Sequence, residues 1–580
     1  MSRLRLIVLA VAGVGVLLLI LAVLIGWQGL KVNSSLQEAV DDAATLQASL
    51  QGEDKDQIDA DLAALQESSG EAAERTQGRI WSLATILPVI GDDAHGVKVA
   101  SSVISDLSND GLEPLARTAT QLDAVLPQDG RIDPAVIESL HDPISRGAGA
   151  LAEAASTLEA EDSSGYVERF RTKFRELQQQ IGDAADATDA AAVALEVLPA
   201  LLGQNEPKNY LLVFQNNAEI RATGGLPGVV SVVSTDDGDI TLGRQESVGG
   251  FGERATPVLP LTKDEKKVFS DKLGTFFQDA NFTPDWPRAA ELMRARWQEL
   301  YPEQIDGVLT VDTVAMSYLL EAIGPIEVGG YTINADNAVD ILLHQVYLDI
   351  ADSAGQDALF QEVASTVFDR ISGGEVAEPR TLLRALVRAG DEGRAYVHLA
   401  DDDEQALLLG RRITGATHDA DGHASAIDVT LLDGTGSKMS YFLRSQVRGT
   451  TTGCMDGRMQ VEVNARLVSD APEDAASLPD YITGGGGYGV EPGKQLIAVG
   501  LFTPSGGEIT QLRIQDKKYD GDSDTLGDRE VSTAFVLLEP GKPQDVSWTL
   551  NILPTDVAVP LRVTPGIFPD NASSTVARGC

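Results

Sequence analysis

The stretch Tyr210-Leu211-Leu212-Val213-Phe214-Gln215 decides how the middle of this 580-residue chain folds, because its unbroken apolar run is typical of a buried strand. A second run of this kind covers residues 228–234, and the acidic turn at residues 236–239 leads into a third strand. Farther along, helical patterns at residues 286–300 and 313–323 enclose another strand pattern. This alternation predicts an α/β sandwich around a mixed sheet, covering residues 201–415.

The two flanking regions have different patterns. From residue 425 to residue 580, short alternating strands are separated by Gly- and Pro-containing loops, which predicts a C-terminal β-sandwich. Between residues 31 and 200, apolar side chains recur at helical spacings, as at Leu36, Val40 and Ala43. That region is predicted to form an α-helical stalk or bundle.

The N-terminus carries an apolar run, Leu6 to Gly26, without a charged side chain. About 20 apolar residues suffice for a helix to cross a bilayer. Arg3 and Arg5 precede the run, so the positive-inside rule keeps residues 1–5 in the cytoplasm. The competing interpretation is a cleaved signal peptide, whose apolar region spans only about 7–15 residues. We therefore expect a single-pass transmembrane anchor at residues 6–30, in the cell membrane, with the bulk of the chain extracytoplasmic.

The predicted fold class is thus multidomain. It consists of an N-terminal transmembrane helix, an α-helical stalk or bundle, an α/β sandwich body with a mixed sheet, and a C-terminal β-sandwich. The formal net charge of −42 argues against nucleic acid as a partner, because an acidic surface repels phosphate backbones. The membrane is the first partner that the sequence implies.

Only two cysteines are present, Cys454 and Cys580. Outside the membrane two thiols pair more often than they stay free, so we expect a disulfide between them. Two incidental unpaired thiols are the alternative.

A polar cluster follows the first strand of the body. Arg221 precedes Thr223, Gly224 and Gly225, and an arginine fork beside exposed backbone N–H groups could hold a phosphate or a carboxylate. Asp279, Asn281 and Asp285 lie in a short loop before a helix, and oxygens of this kind could bind Mg²⁺. The structural alternative is that Arg221 pairs with one of the aspartates in a buried ion pair. In that case Asp285 is the N-cap of the helix, with Pro287 in its first turn.

Three motifs in one region resemble the bacterial envelope family known as domain of unknown function 4012. They are Gln215-Asn216-Asn217-Ala218-Glu219-Ile220-Arg221-Ala222-Thr223-Gly224-Gly225, then residues 279–287, and then residues 305–326. The resemblance covers roughly residues 200–400. It implies an N-terminal anchor, an extracytoplasmic body, and partners in cell-wall glycopolymer or surface-polysaccharide machinery.

The order of elements is also similar to that of the LytR-CpsA-Psr family. This second resemblance implies transfer of a glycopolymer from a polyprenyl-pyrophosphate carrier to the cell wall, with arginines on the pyrophosphate and Mg²⁺ held by aspartates. The chain departs from that family in two places. Residues 356–361, where an arginine-rich helix belongs, contain no arginine, and no arginine–aspartate pair occurs at residues 248–251.

Two functions remain open from the sequence. The first is a non-enzymatic binding or organising module in envelope or surface-polysaccharide assembly. The second is a Mg²⁺-assisted transferase acting on a lipid-linked glycopolymer. An apolar tunnel in the α/β body would favour the second.

Overall fold

The computed structural model describes residues 31–32, 34–46, 48–49, 55–88, 90–119, 125–419, 421–519, 523–555, 557–568 and 574–576. The chain divides into two compact units. The first combines Met1–Val125 with Asp133–Pro199, and the second combines Leu126–Ile132 with Ala200–Cys580.

The described part of the first unit is helical. After helical residues within 31–49, its helices are α1 (Lys55–Gln77), α2 (Arg79–Ala84), α3 (Gly91–Asp106), α4 (Leu112–Ala119), α5 (Pro134–Glu159) and α6 (Glu168–Leu201). A π-helical turn, Leu107–Gly111, joins α3 to α4.

Helix α5 shows why these segments are helical. Asp133 is its N-cap and accepts a hydrogen bond from the backbone N–H of Ala135 at 3.0 Å, while Pro134 occupies the first helical position. Its buried positions recur every three or four residues and form one apolar face, at Ile137, Leu140, Ile144, Gly147, Leu151, Ala154 and Leu158. Burial of this face holds α5 in the bundle.

In the described ranges, no helix has both the length and the apolar composition that crossing a bilayer requires. The predicted cytoplasmic tip and anchor, residues 1–5 and 6–30, lie outside the described residues.

The second unit begins with a five-stranded mixed sheet. Its strands are, in spatial order, β3 (Asp239–Ser247), β2 (Gly224–Asp236), β1 (Lys208–Arg221), β4 (Gly307–Asp312) and β7 (Ala395–Leu399). Strands β1 and β4 are parallel, and the other neighbours are antiparallel. A separate small sheet pairs β5 (Ile326–Val328) with β6 (Tyr331–Ile333).

Helices cover both faces of the mixed sheet. They are α7 (Lys263–Phe269), α8 (Lys272–Thr275), α9 (Trp286–Leu300), α10 (Thr313–Ile323), α11 (Ala338–Asp340), α12 (Val346–Asp349), α13 (Ser353–Ser372), α14 (Pro379–Asp391) and α15 (Asp402–Leu407). Leu211 and Val213 of β1 share a core with Trp286 and Trp297 of α9. Phe214 points the other way and packs with the core of α10, α13 and α14, as the alternation of side chains along a strand requires.

The rest of the second unit consists of two sheets that enclose one core. The first sheet contains, in order, β13 (Lys517–Tyr519), β12 (Glu508–Ile514), β16 (Gln544–Ile552), β10 (Arg458–Ser469) and β9 (Leu443–Met455). The second contains β14 (Asp524–Leu526), β15 (Arg529–Leu538), β11 (Gln495–Phe502), β8 (Ile427–Asp433), β17 (Val559–Val563) and β18 (Ser574–Val576). The short helix α16 (Asp480–Thr483) lies between β10 and β11 in the chain.

The core between these two sheets includes Val429, Leu431, Val461 and Trp548, each of which is essentially fully buried. The prediction of a multidomain chain of mixed helices and sheets is therefore confirmed. The regions predicted as separate domains, residues 201–415 and 425–580, both lie in the second compact unit.

The end of the β1–β2 hairpin joins the mixed sheet to the two-sheet region. The pairing of β1 with β4 ends at Gln215 and Asp312, whereas β1 continues to Arg221. Ile220 is buried in the core of the two-sheet region, and its N–H donates to Ser440 Oγ at 3.3 Å. The hydroxyl of Thr564 donates to the carbonyl of Ala222 at 3.0 Å. This segment, residues 215–225, is called the motif hairpin below.

Cys454 lies near the end of β9 and is disulfide-bonded. Cys580, its predicted partner, lies outside the described residues, so the pairing stays a prediction.

Candidate functional site

A pocket with room for about 90 Å³ opens where the parallel pairing of β1 with β4 ends, at Gln215 and Asp312. In sheets with parallel strands, the carboxyl ends of the strands are where ligands bind. The walls are mostly apolar and aromatic, from Phe214, Val311, Met316, Leu342, Tyr347, Phe360, Val363 and Tyr481. The polar side chains at the pocket are those of Gln215, Asn216, Asp312, Thr313, Asp357 and Lys438. We call this cavity the strand-end pocket.

Each charged side chain at the strand-end pocket already has a partner. The Lys438 ammonium lies 2.6 Å from a carboxylate oxygen of Glu219. Asp357 accepts a hydrogen bond from the hydroxyl of Ser247 at 2.6 Å. Asp312 is buried and is held by three groups.

Asp312 joins the end of β4 to the start of α10. As the N-cap, its Oδ1 accepts from the N–H of Ala315 at 2.7 Å. Its Oδ2 accepts from Asn217 Nδ2 and from Arg394 Nη1, both at 2.9 Å. The carboxylate is therefore fixed in one orientation.

Aromatic rings and an amide complete the pocket. The rings of Tyr347 and Tyr481 lie 5.5 Å apart, centroid to centroid, and Tyr481 is 45% exposed. Asn216 donates from Nδ2 to the phenol oxygen of Tyr347 and accepts from the N–H of Ala218 at 3.0 Å. The lining thus offers ring faces beside fixed polar atoms, an arrangement suited to binding a compact polar ligand.

The motif hairpin is held by hydrogen bonds inside the protein. The Gln215 amide nitrogen donates to Thr310 Oγ1 at 2.8 Å, and its oxygen accepts from the N–H of Gly225 at the same distance. A Cβ on Gly225 would lie 2.3 Å from the backbone carbon of Asn216, so only glycine permits this approach of the strands. The backbone N–H of Gly225 is therefore occupied.

Arg221 lies in a buried ion network. Its Nη2 is 2.8 Å from Glu219 Oε1, and its Nη1 donates to the carbonyl of Ile220 at 3.2 Å. Lys438 binds the other oxygen of Glu219. Burial alone would raise the pKa of Glu219, but the nearby Lys438 and Arg221 outweigh it and lower that pKa below its usual value.

Asp279 is the weaker partner of Arg221, at 3.8 Å. Burial raises the pKa of Asp279 to about 6 despite the attraction of Arg221. That attraction is weak because Glu219 is closer to Arg221 and already balances its charge.

The residues predicted to bind a phosphate do not form an open site. The Arg221 side chain is only 6% exposed, and the hydroxyl of Thr223 accepts a hydrogen bond from Asn281 Nδ2 at 3.0 Å. Gly224, with φ +131°, and Gly225 form the tight end of the hairpin. These groups bind one another, and Arg221 lies in a buried ion network whose closest carboxylate is that of Glu219, while Asp279, one of the two predicted aspartates, lies farther away at 3.8 Å.

The residues predicted to bind Mg²⁺ are directed to three different partners. Asp279 faces Arg221, and Asn281 donates to Thr223 and to the carbonyl of Gly225 at 2.9 Å. Asp285 occupies the N-cap position of α9, but its Oδ1 accepts from the N–H and the hydroxyl of Thr417 at 3.0 and 3.1 Å. Among the described residues no group of three His, Cys, Asp or Glu side chains could hold a metal. The residues present therefore do not fit a Mg²⁺ centre.

Sequence reasoning missed Lys438, Tyr347, Asp357 and Tyr481. Lys438 lies in a loop 219 residues from its partner Glu219, and no local pattern marks it. The N-cap role of Asp312 could have been predicted from the sequence, because an aspartate between a strand and a helix is a typical N-cap.

Comparison with known families gives one match. Residues 205–347 match a family model described as "Protein of unknown function (DUF4012)". This confirms the resemblance to that family expected from the three motifs. The matched segment contains the motif hairpin, Asp312 and Tyr347, whereas Lys438 and Tyr481 lie beyond it. No curated protein matches the chain, and the LytR-CpsA-Psr resemblance stays a hypothesis.

Proposed function

For a chain whose residues 205–347 match the DUF4012 family, we propose the function of a membrane-anchored extracytoplasmic binding module. Its ligand is a glycan segment of a surface or cell-wall polysaccharide, held in the strand-end pocket. The observation that carries this proposal is that Lys438, Asp312 and Asp357 all have partners inside the protein. Among the described residues, every charged side chain of the pocket is thus engaged inside the protein, which favours binding over acid–base chemistry by these groups.

A sugar fits the lining for two reasons. Sugar rings have apolar C–H faces that pack on aromatic side chains, and Tyr347, Tyr481 and Phe360 supply such surfaces. Sugar hydroxyls both donate and accept hydrogen bonds, and Asn216, Thr313 and Asp312 line the same space.

The size of the pocket agrees with a single sugar unit. One water needs about 10–15 Å³ of such space, so about 90 Å³ accepts a ring-sized group. A prenyl chain of many carbons needs much more room. This favours recognition of the glycan over recognition of its lipid carrier.

The alternative function is the Mg²⁺-assisted transferase. Its support is the location of the pocket at the ends of parallel strands and the order of elements. Against it, no arginine lines the strand-end pocket in the part of the chain that the structure describes, and the predicted Mg²⁺ ligands are directed apart. The binding module is therefore the better-supported proposal.

Glycan binding is tested on the full-length protein in detergent micelles, by calorimetric titration with oligosaccharides released from the cell envelope. Tyr481→Ala removes an aromatic face that is 45% exposed and should weaken binding about fivefold, because an aromatic contact contributes on the order of 1 kcal/mol. Tyr519→Ala is the matched control, since Tyr519 is 51% exposed on β13. Equal affinity of the two variants, or no binding by the wild-type protein, would contradict the proposal.

The anchor at residues 6–30 and the extracytoplasmic location rest on the sequence alone. A protease added to spheroplasts should degrade the chain beyond Lys31, because the positive-inside rule places that part outside. The readout is an immunoblot against a C-terminal epitope, with a cytoplasmic protein as the control for lysis. Complete protection of the C-terminus in intact spheroplasts would rule this topology out.

A further inference from the structure

A second cavity, with room for about 40 Å³, lies in the second unit beside the turn of the motif hairpin. Ala222, the residue after Arg221, is part of its lining. The side chains that matter for its chemistry are those of Tyr396, Arg412, Thr430 and Arg562. Since one water needs about 10–15 Å³ of such space, this cavity accepts a group of about three or four water-sized atoms. That is the size of a small oxyanion.

Arg562 is held in a fixed orientation at this cavity. Its Nε and Nη2 bind the two oxygens of Asp428 at 2.6 and 2.9 Å, and its Nη1 donates to the carbonyl of Ala416 at 2.8 Å. These contacts use three of the five N–H groups of a guanidinium. The side chain remains 26% exposed. A fixed guanidinium with N–H groups to spare is a ready donor to an anion.

Positive charge exceeds negative charge in the lining. Asp428 is the lining carboxylate, and it also binds the fully buried Arg529 at 2.6 Å. One carboxylate is thus shared by two guanidiniums, and Arg412 adds a further cation to the lining. Asp285 and Asp391 act on Arg562 and Arg412 through space, but neither lines the cavity. The lining therefore favours a negatively charged occupant.

A buried hydroxyl supplies an independent observation. Thr430 is 2% exposed and lines the cavity, and its Oγ1 has no hydrogen-bond partner in the described part of the chain. A buried polar atom without a partner is uncommon and calls for an explanation. The phenol of Tyr396 lines the same space.

We propose that this cavity is an oxyanion-binding site, in which Arg412 and Arg562 pair with a phosphate or carboxylate group and Thr430 and Tyr396 supply hydroxyl contacts. The sequence predicted an anion at Arg221. The geometry assigns the anion to the cavity at Ala222 of the same hairpin, where the guanidinium of Arg562 has N–H groups that its contacts with Asp428 and Ala416 do not use. This inference does not rest on the proposed glycan pocket.

The test uses full-length protein in detergent and inorganic phosphate as the probe. The melting temperature should rise with phosphate relative to chloride at equal ionic strength, because a ligand that binds only the folded state stabilises it. Arg412→Gln should weaken phosphate binding at least tenfold, as expected for a charged hydrogen bond. Arg448→Gln is the matched control, because Arg448 is exposed on β9.

A second variant keeps the proposal testable if Arg412→Gln does not fold. Thr430→Val has nearly the same shape and removes a hydroxyl without a partner, so the melting temperature without phosphate should stay unchanged while phosphate binding weakens several-fold. A wild-type protein without a phosphate-specific shift overturns the proposal, as does equal phosphate binding by Thr430→Val and the wild type.

Two further ligands identify the source of the anion. A glycerol phosphodiester that binds more tightly than inorganic phosphate assigns the site to phosphate within a polymer. Acetate that binds more tightly than either ligand assigns it to a carboxylate. Both results support an oxyanion site.

Discussion

Replacing Arg221 by alanine should lower the free energy of unfolding by about 3 kcal/mol, the lower end of the range for breaking a buried ion pair. The reason is that Glu219 would lose one of its two cations while staying buried. Its contact with Lys438 remains, which keeps the loss from being larger. Denaturant unfolding of the full-length protein, followed by circular dichroism, measures this difference.

Arg448→Ala is the control for Arg221→Ala, because this exposed arginine should change the unfolding free energy by less than about 0.5 kcal/mol. Glycan affinity, corrected for the folded fraction, should be the same in both variants. If Arg221→Ala were as stable as the wild type yet unable to bind its ligand, the original prediction of an anion-binding fork would be correct.

Asp279→Asn should change how stability depends on pH. The pKa of Asp279 is raised to about 6 in the folded protein, from an ordinary value of 3.8, chiefly by burial. The folded state therefore holds this proton more tightly than the unfolded state does. The resulting stabilisation is complete below about pH 4 and is lost as the pH rises to about 6.

The effect is measured as the difference in unfolding free energy between the wild type and Asp279→Asn. A shift of about two units corresponds to about 3 kcal/mol. The wild type should thus lose about 3 kcal/mol relative to the variant between pH 4 and pH 7. The comparison cancels the titration of other groups, such as Glu219. A difference that stays constant, or that moves in favour of the wild type with rising pH, would show that the ion pair with Arg221 outweighs burial.

Several elements could be predicted from local sequence because their signals are local. Helices α9 and α10 begin after Asp285 and Asp312, and the periodic pattern then sets their length. The run at residues 210–215 identified β1 because it is apolar on both faces. The pairing of Glu219 with Arg221 could also have been predicted from the sequence, since residues two apart on a strand share a face.

Other features depend on contacts between distant parts of the chain. Lys438 reaches Glu219 across 219 positions, and Asp428 binds both Arg529 and Arg562 from separate strands. The extension of the motif hairpin into the two-sheet region places Arg221 in the interior. A pattern of residue types cannot distinguish a buried arginine from an exposed one when its neighbours lie on other strands. For this reason Arg221, Asp279 and Asn281 proved to be engaged with neighbouring residues of the same cluster, and Asp285 with Thr417.

The fate of a lipid-linked glycan distinguishes a binding module from a transferase. Full-length protein in detergent is incubated with a polyprenyl-pyrophosphate-linked oligosaccharide, Mg²⁺ and peptidoglycan, and the glycan is followed by mass spectrometry. For a binding module, the glycan should be recovered intact on its carrier, and it should bind wild-type protein more tightly than Tyr481→Ala. Glycan transferred to peptidoglycan in proportion to the amount of protein would rule out a pure binding module and establish the transferase.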